Sequence, residues 1–503
     1  MKTTSAPVSP KMTVGPDDPR YTALSTGFNQ RFVGKPAYIQ LCATTEEVRI
    51  AVQAAMDAGK RITIRGGGHC YEGFVSDNPG GVIIDLSPMK SVYRDATMGN
   101  AYCAEAGCVL WDVYPALYKL FGVTVPGGSC YSVGVGGNVC GGGYGLLSRL
   151  HGLASDHLAA VEVVCVDGNG TASVVVARKG DTNRDKRDLF WAHTGGGGGN
   201  FGVITRYWFA ADLPQAPRNA YLGVLAWNWS DMTQDHFTQL LESYGNFFAE
   251  HSQPGDYGEL FTLMHLTQNL PGAQIIVEMQ CAGEDSKPID DFIGAMQLPI
   301  PAVRQTASLP TRPVFSHEGD YRQMPWIEAT QNLNASGHNQ RGKYKSAYMK
   351  KPFPRRQIDA IWNALSKPLF ANSQALLQVD SYGGQINAVK PGDTAAAQRS
   401  SIMKLQYQIY WTDPAQDDLN IDWLRWFYES VYADTGGVPV SNDVTDGCFV
   451  NYCDVDLKDW RTLYYKDGYP KLMQIKQKWD PLNVFNHAQS IELPKSGGAA
   501  RGR

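Results

Sequence analysis

The sequence Arg65-Gly66-Gly67-Gly68-His69 and a second one of the same kind, Pro126-Gly127-Gly128-Ser129-Cys130, decide how this chain is organised. Each follows a short run of β-forming residues, Ile62–Ile64 in the first case and Val123–Val125 in the second. Glycine tolerates positive φ and lets the backbone approach a ligand closely. A strand, a glycine turn and a terminal His or Cys therefore bring backbone N–H groups and one nucleophilic side chain to a large, flat ligand.

Either turn alone is equally typical of an ordinary loop in which the His or Cys is incidental. Two further glycine-rich segments follow, Val133–Gly145 and Gly195–Gly202, and they favour a ligand-cradling domain. A G-x-G-x-x-G match can be forced onto the first of them, but that motif needs a preceding strand and a long helix after it. We interpret Val133–Gly145 instead as a winding, side-chain-poor segment that donates backbone N–H groups to a pyrophosphate.

Composition excludes several classes of function. A chain of 503 residues is too long for one compact core and predicts two or three domains. The net charge of −4, without a Lys/Arg cluster, argues against a nucleic-acid partner. No apolar run is long enough to span a membrane. The polar N-terminus lacks the apolar core of a signal peptide. Because a leader could have been removed before Met1, the sequence leaves the cellular location of the protein open. Ten cysteines without a CxxC predict neither a disulfide scaffold nor a metal site.

Periodicity predicts an α+β fold, with short elements before residue 211 and a second α+β part after it. A capping box at Thr44–Glu47 begins a helix that ends at Gly59, and Leu110–Phe121 is a second amphipathic helix. We find no βαβ alternation of the dinucleotide-binding kind. The predicted strands are Arg61–Arg65, Val82–Leu86, Ala101–Ala106, Val123–Val125, Val161–Val166, Ala172–Ala177, Val203–Phe209, Ala375–Val379, Met403–Trp411 and Phe449–Val455.

Five motifs occur in the order and spacing of a known family: Gly66–His69, Pro126–Cys130, Gly141–Gly145, Trp191–Gly202 and Trp479–Phe485. By these motifs the chain resembles the FAD-linked oxidases of the berberine-bridge-enzyme-like branch of the vanillyl-alcohol-oxidase family. The resemblance covers nearly the whole chain. Within the family it is similar to bacterial sugar-oxidising members of the aclacinomycin-oxidoreductase and glycopeptide-hexose-oxidase type.

The resemblance implies a two-part, PCMH-type FAD-binding domain plus a substrate domain whose antiparallel sheet is covered by helices. It divides the chain into an N-terminal arm that starts the FAD domain (1–33), the PCMH-type FAD-binding domain (34–211), the substrate-binding domain (212–455), a C-terminal return to the FAD domain (456–495) and a disordered tail (496–503).

The resemblance also implies FAD held by two covalent bonds, from His69 to the 8α-methyl group and from Cys130 to C6 of the isoalloxazine. A neutral imidazole and a thiolate are both competent nucleophiles. The other cofactor-binding residues that it implies are Arg65, Gly66, Gly67, Gly68, Gly128, Val135, Gly136, Gly137, Gly141, Gly142, Gly143, Gly199, Asn200, Gly202, Val203 and Asn451.

Three tyrosines match family positions. Tyr452 is expected to be the catalytic base, Tyr144 its partner and Tyr382 a substrate contact. Lys404 and Gln406 are two residues apart and so lie on one face of a strand. In related enzymes this pair lies beside the catalytic tyrosine, where an ammonium would favour tyrosinate.

The expected reaction is oxidation of a hydroxyl group on a sugar, either in an oligosaccharide or in a glycosylated natural product. A tyrosinate removes the hydroxyl proton, hydride passes to the flavin, and dioxygen is reduced to hydrogen peroxide. The expected partners are a glycosidic or polycyclic small molecule and dioxygen, with the oligomeric state left open. Alternatives are oxidation or oxidative cyclisation of an alkaloid or aromatic alcohol, a dehydrogenase that ignores oxygen, and a flavin-carrying binding protein with little turnover.

Overall fold

The computed structural model describes residues 12–300, 302, 321–334 and 337–495. The beginning of the predicted N-terminal arm, 1–11, and the predicted disordered tail, 496–503, lie outside the described residues. The strands are β1 Thr13–Val14, β2 Tyr38–Leu41, β3 Ile62–Arg65, β4 Val82–Asp85, β5 Val92–Asp95, β6 Ala101–Glu105, β7 Leu158–Val166, β8 Ala172–Arg178, β9 Val203–Phe209, β10 Asn219–Asn228, β11 Leu260–Thr267, β12 Gln274–Ala282, β13 Tyr321–Pro325, β14 Arg341–Met349, β15 Leu376–Ser381 and β16 Met403–Trp411. The α-helices are α1 Tyr21–Ser25, α2 Thr45–Asp57, α3 Leu110–Phe121, α4 Val135–Cys140, α5 Ser148–His151, α6 Arg184–Ala192, α7 Gln234–Glu250, α8 Lys287–Ala295, α9 Trp326–Asn332, α10 Arg355–Ser366, α11 Asp417–Val431, α12 Trp460–Tyr465 and α13 Tyr469–Trp479.

A small four-stranded sheet carries the first glycine turn. Its strand order is β1-β2-β4-β3, and β2, β4 and β3 run parallel. The predicted capping box is present at the start of α2, where the Thr44 side chain accepts the N–H of Glu47 and the Glu47 carboxylate accepts the N–H of Ala43. Since α2 joins the parallel strands β2 and β3, one β–α–β unit exists here, with β4 inserted between its strands.

The second small sheet is antiparallel and lies against the first through α2. Its order is β5-β6-β9-β7-β8. The hairpin between β7 and β8 forms because the Asp167 side chain accepts the N–H groups of Asn169 and Thr171, which closes the turn. Helix α2 contacts β4 of the first sheet and β7, β8 and β9 of the second.

A seven-stranded antiparallel sheet forms the second part of the molecule, in the order β13-β10-β12-β11-β15-β16-β14. On β15 and β16, side chains alternate between two environments, as a strand requires. Leu377, Val379 and Leu405 lie in the core. Gln378 and Asp380 alternate with the core residues of β15 and line the same cavity as the glycine turns. Helices α8 and α11 pack on strands of this sheet, and α10 contacts both α7 and α11. The predicted α+β class, with an antiparallel sheet covered by helices, is confirmed.

Three local predictions are wrong. Phe449–Val455 is not a strand, because a turn closes there with the N–H of Tyr452 donating to the carbonyl of Phe449 over 3.0 Å. Val123–Val125 makes only an isolated β-bridge, from Val123 to Gln215. Val133–Gly145 is not a winding segment throughout, since it contains the short helix α4. In each case local β-propensity or glycine content was overridden by tertiary contacts.

Candidate active site

A cavity lies between the glycine turns and the seven-stranded sheet. It encloses about 320 Å³ of space that the centre of a water molecule can reach. The glycine turns after β3, around Gly128 and at Gly197–Gly199 form one wall. Strands β11 and β15 and the turn Phe449–Tyr452 form part of the opposite wall. The small sheets with their glycine turns and the large sheet therefore both contribute to a single site.

His69 occupies the end of the first turn, where Gly68 has a φ of 72°. Its ring stacks on Phe28 with the centroids 4.7 Å apart, and its Nε2 lies 2.9 Å from the Oγ of Ser132. Burial, with a contribution from the charge of Arg65, lowers the pKa of His69 to about 4. The imidazole is consequently neutral near pH 7, which is the nucleophilic form.

Cys130 lines the same cavity as Tyr144 and Tyr452. It is half-buried. Burial raises the pKa of Tyr452 well above 10, and the negative charges of Asp380 and of an ionised Cys130 raise it further. Electrostatic coupling of this kind requires proximity, so the Cys130 sulfur and the Tyr452 phenol face the same space.

Lys404 connects the groups on the sheet side. Its Nζ donates to the Oδ2 of Asp380 over 2.6 Å and to the Oη of Tyr452 over 3.0 Å. The ammonium also lies over the rings of Tyr452, at 4.3 Å, and Tyr144, at 4.7 Å. Burial lowers the pKa of Lys404, and Asp380 opposes that shift. The direct contact with the Asp380 carboxylate favours the ammonium form of the lysine.

Gln406, two residues after Lys404 on β16, forms a second polar contact with a tyrosine. The Nε2 of Gln406 donates to the Oη of Tyr71 over 2.9 Å. The Tyr71 ring stacks on Tyr344 with centroids 3.6 Å apart and lies 5.4 Å from the ring of Tyr452. Lys404 and Gln406 thus each bond one tyrosine of a neighbouring pair, and this holds the two phenols side by side at the cavity.

Comparison with known proteins identifies the family. Models described as "FAD binding domain" and "Berberine and berberine like" match residues 36–172 and 448–492. The chain is 41% identical to aclacinomycin-N/aclacinomycin-A oxidase of Streptomyces galilaeus, over 95% of this chain and 89% of that protein. It is 38% identical to hexose oxidase of Chondrus crispus, over 94% and 93% of the two chains. A glycopeptide hexose oxidase complexed with teicoplanin superposes with a TM-score of 0.89 at 36% identity, over 97% of this chain and all of the other.

This chain belongs to the berberine-bridge-enzyme-like FAD-linked oxidases. The suspected resemblance is therefore confirmed, and the protein is an FAD-linked oxidoreductase.

The cavity of this FAD-linked oxidase fits a flat, extended cofactor. A Cβ placed on Gly67 would lie 2.3 Å from the backbone nitrogen of Gly134, so only glycine lets these two turns touch. A Cβ on Gly137 would meet nothing within 4 Å, although Gly137 lines the cavity. Its backbone is therefore open to a ligand in the cavity.

The structure brings most of the predicted cofactor residues of this oxidase to the cavity. Those that line it are Arg65, Gly66, Gly67, Gly68, His69, Gly128, Cys130, Gly136, Gly137, Gly199, Asn200, Gly202 and Asn451. Among the described residues, Val135, Gly141, Gly142, Gly143 and Val203 are outside its lining. Gly141 instead makes room for Asn451, whose Oδ1 would lie 1.9 Å from a Cβ there. The Arg65 guanidinium donates to the carbonyl of Leu24 and lies 3.6 Å from the Asp85 carboxylate.

The predicted tyrosines of the oxidase occupy different positions. Tyr144 and Tyr452 line the cavity, whereas Tyr382 does not. The Oη of Tyr382 donates to the carbonyl of Gln398 over 3.1 Å, and its ring packs against Tyr144 at 5.3 Å. Tyr144 itself donates to the carbonyl of Ser381. A direct substrate contact by Tyr382 thus stays a prediction, and the observed contacts place it behind Tyr144.

Sequence reasoning missed Asp380, Gln378 and Tyr71, all of which line the cavity. The Nε2 of Gln378 donates to the Oδ1 of Asp380 over 2.7 Å, so this carboxylate is held from two sides. A signal was available, because polar residues at every second position of an otherwise apolar strand mark a face that meets something other than the core. For Tyr71 the only indication in the sequence was its position two residues after His69, which is weaker evidence for a place in the site.

The described residues contain no group of three or more His, Cys, Asp or Glu side chains able to hold a metal ion. No helix within the described ranges has both the length and the apolar character needed to cross a membrane.

Proposed function

We propose that this protein oxidises a hydroxyl group of a sugar, in an oligosaccharide or a glycosylated natural product, and reduces dioxygen to hydrogen peroxide. The observation that carries the proposal is the Asp380–Lys404–Tyr452 chain facing the cavity that His69 and Cys130 also line. The named relatives support the substrate class, since they include a hexose oxidase and a glycopeptide hexose oxidase.

His69 and Cys130 would hold FAD by bonds to its 8α-methyl group and C6. The lowered pKa of His69, to about 4, favours this role because the neutral ring offers a nitrogen lone pair. When bound, FAD supplies the hydride acceptor and passes the electrons on to dioxygen. The turns Gly66–Gly68 and Gly136–Gly137 would present backbone to the cofactor.

Tyr452 would accept the proton of the substrate hydroxyl. The expectation of a resting tyrosinate needs adjustment, since burial and Asp380 raise the pKa of Tyr452 well above 10. Two features act in the other direction. Lys404 donates a hydrogen bond to the phenol oxygen, which stabilises the phenolate as it forms. A Cys130 sulfur bonded to carbon carries no charge, so its contribution to the raised pKa disappears.

The opposite wall suits a sugar ring. Gln378 and Asp380 offer hydrogen-bonding groups, and the rings of Phe261, Phe449 and Tyr71 line the same space. Aromatic faces pack on the C–H faces of sugars while a few fixed polar groups orient the hydroxyls. Asp380 also holds Lys404, which in turn bonds Tyr452. The same carboxylate would therefore both contact the substrate and position the proposed base.

The test is a screen of the purified flavoprotein against oligosaccharides and glycosylated aglycones. We expect at least one sugar to bleach the flavin absorbance without oxygen and to yield one hydrogen peroxide per dioxygen in air. Aryl alcohols and alkaloids form the comparison set. Reduction of the flavin by that set but by no sugar would refute the substrate class, and reduction without peroxide in air would refute the oxidase.

A further inference from the structure

Two cysteines that the proposed reaction does not use lie in contact at the cavity. Cys70 directly follows His69, and Cys453 directly follows Tyr452. Their sulfur atoms are 3.9 Å apart, although 383 positions separate them in the chain. Both residues line the cavity. The contact therefore joins the turn that carries one proposed flavin ligand to the turn that carries the proposed base.

The surroundings shift the pKa values of the two thiols in opposite directions. A hydrogen bond from Cys453 lowers the pKa of Cys70 despite burial. The backbone N–H groups of Glu72 and Phe74 also lower it, and the negative charge of Glu72 opposes them. The same contact with Cys70, together with burial, raises the pKa of Cys453 well above 9. Since the thiolate is the nucleophile, Cys70 is the attacking thiol and Cys453 the thiol that resolves the product.

The distance is compatible with a covalent bond after a small movement. A disulfide has an S–S length of about 2.05 Å, so sulfurs at 3.9 Å must approach by less than the diameter of one atom. Cys453 lies outside the described strands, so its backbone belongs to no β-ladder.

We propose that Cys70 and Cys453 are a modification site, a dithiol that hydrogen peroxide oxidises to a disulfide. The Cys70 thiolate attacks one peroxide oxygen, which breaks the O–O bond and gives a sulfenic acid and hydroxide. The Cys453 sulfur then attacks the sulfenic sulfur, and water leaves. Two thiols and one hydrogen peroxide thus yield one disulfide and two waters. The inference rests on the proposed function only for the source of peroxide, which would be turnover in the same cavity.

The consequence is a covalent link between the two walls of the cavity. It fixes the Tyr452 turn to the His69 turn and closes a loop of several hundred residues. A cross-link over so long a loop restricts the unfolded chain strongly. We expect the peroxide-treated protein to unfold at a higher temperature than the reduced protein, and we expect dithiothreitol to reverse the difference.

The test maps the bond in reduced, desalted holoprotein treated with hydrogen peroxide, alkylated and digested with trypsin. We expect fragment 66–90, which holds Cys70, to be joined to fragment 426–458, which holds Cys453. The joined species should lie two hydrogen atoms below the summed masses of the free-thiol forms, with the flavin on His69 and its Cys130 peptide counted in the first fragment. Cys70→Ser and Cys453→Ser should each abolish the joined fragment and the temperature shift. Cys448→Ser is the matched control, because Cys448 lies in the same fragment and the link should persist. A link absent from the wild-type protein, or retained in Cys453→Ser, would overturn the proposal.

A second arm replaces added peroxide with an oxidisable sugar in air. A bond formed in both arms supports the dithiol and the source of its oxidant. A bond formed with added peroxide alone keeps the dithiol and rejects turnover as the source. If a sugar generates peroxide but neither arm produces the bond, the dithiol is wrong and the proposed oxidase stands.

Discussion

At the scale of single residues, the phenol of Tyr452 and the ammonium of Lys404 form the contact on which the proposed chemistry depends. The separation of 3.0 Å between them is that of a hydrogen bond. A cationic donor strengthens such a bond as negative charge develops on the phenol oxygen. The salt bridge of Lys404 to Asp380 is nearly fully buried on both sides, so the ammonium cannot exchange its partner for water. The arrangement keeps one donor directed at the phenol oxygen.

Replacing Tyr452 by Phe removes the proposed base without removing its ring. We expect the rate of flavin reduction by substrate to fall by about 100- to 10,000-fold, the usual contribution of a general base. Anaerobic stopped-flow measurement of flavin absorbance checks this. Tyr382→Phe is the matched control, because its hydroxyl bonds a main-chain carbonyl away from the cavity, and it should retain most of the rate. Equal rates in Tyr452→Phe and the wild type would exclude Tyr452 as the base.

Replacing His69 or Cys130 by Ala tests the two proposed tethers. Acid-denatured wild-type protein should keep its yellow colour in the precipitate. Each single variant should keep the colour through the remaining bond, and only the double variant should release the flavin to the supernatant. The check is the visible absorbance of both fractions. Release from either single variant would show that one bond alone holds the cofactor.

At the scale of elements, a buried charge cluster fixes β14 against the turns of the site. The Nζ of Lys343 lies 2.7 Å from Glu72 and 2.7 Å from Asp454, and Lys345 lies 2.7 Å from Asp454. Glu72 follows the His69 turn, and Asp454 follows Tyr452. The cluster thus ties the sheet to both turns that meet at the cavity.

Removing one cation from this cluster leaves buried carboxylates without full compensation. We expect Lys343→Met to lower the free energy of unfolding by about 3 to 5 kcal/mol. Urea denaturation followed by circular dichroism measures the change. Lys287→Met is the control, since its ion pair with Asp291 is exposed and its loss should lower the free energy of unfolding far less than Lys343→Met does. Similar losses in both variants would mean that burial does not determine the effect.

At the scale of the whole molecule, buried neutral histidines make the fold sensitive to acid. Burial lowers to about 4 the pKa values of four histidines, His69, His151, His193 and His487. In the unfolded chain these rings become protonated below about pH 6.5, whereas in the folded chain they become protonated only near pH 4. The contribution of these four rings to stability is therefore fully present above that pH and is lost as the pH falls towards 4.

His193 is the clearest case, because it is 2% exposed and its Nδ1 lies 2.8 Å from the carbonyl of Leu189. We expect His193→Gln to reduce the slope of unfolding free energy against pH by about 1.4 kcal/mol per pH unit near pH 5. Denaturation series between pH 4 and pH 7 measure this slope. His338→Gln, at an exposed position, is the matched control. An unchanged slope in His193→Gln would refute the buried neutral state.

Much of this molecule follows from its sequence. Periodicity predicted α3, β9 and β16 with their observed bounds, because apolar spacing and the residues that end each element act locally. The glycine turns and their His and Cys predicted the family, its cofactor and most of the cavity's glycine wall. Those features depend on backbone freedom and side-chain chemistry, which each residue carries with it.

Tertiary structure decided the rest. The Phe449–Tyr452 turn has a strand-like sequence, yet Asp454 just beyond it is held by two buried lysines of β14, and this contact outweighs local propensity. Asp380 and Tyr71 enter the site, and Tyr382 stays behind Tyr144, through packing between distant segments. The Cys70–Cys453 contact joins positions 383 residues apart. The sequence by itself determined which chemical groups this protein carries. Only the tertiary structure decided which of those side chains lie in contact, because residues far apart in the chain are brought together by packing, which no local sequence pattern encodes.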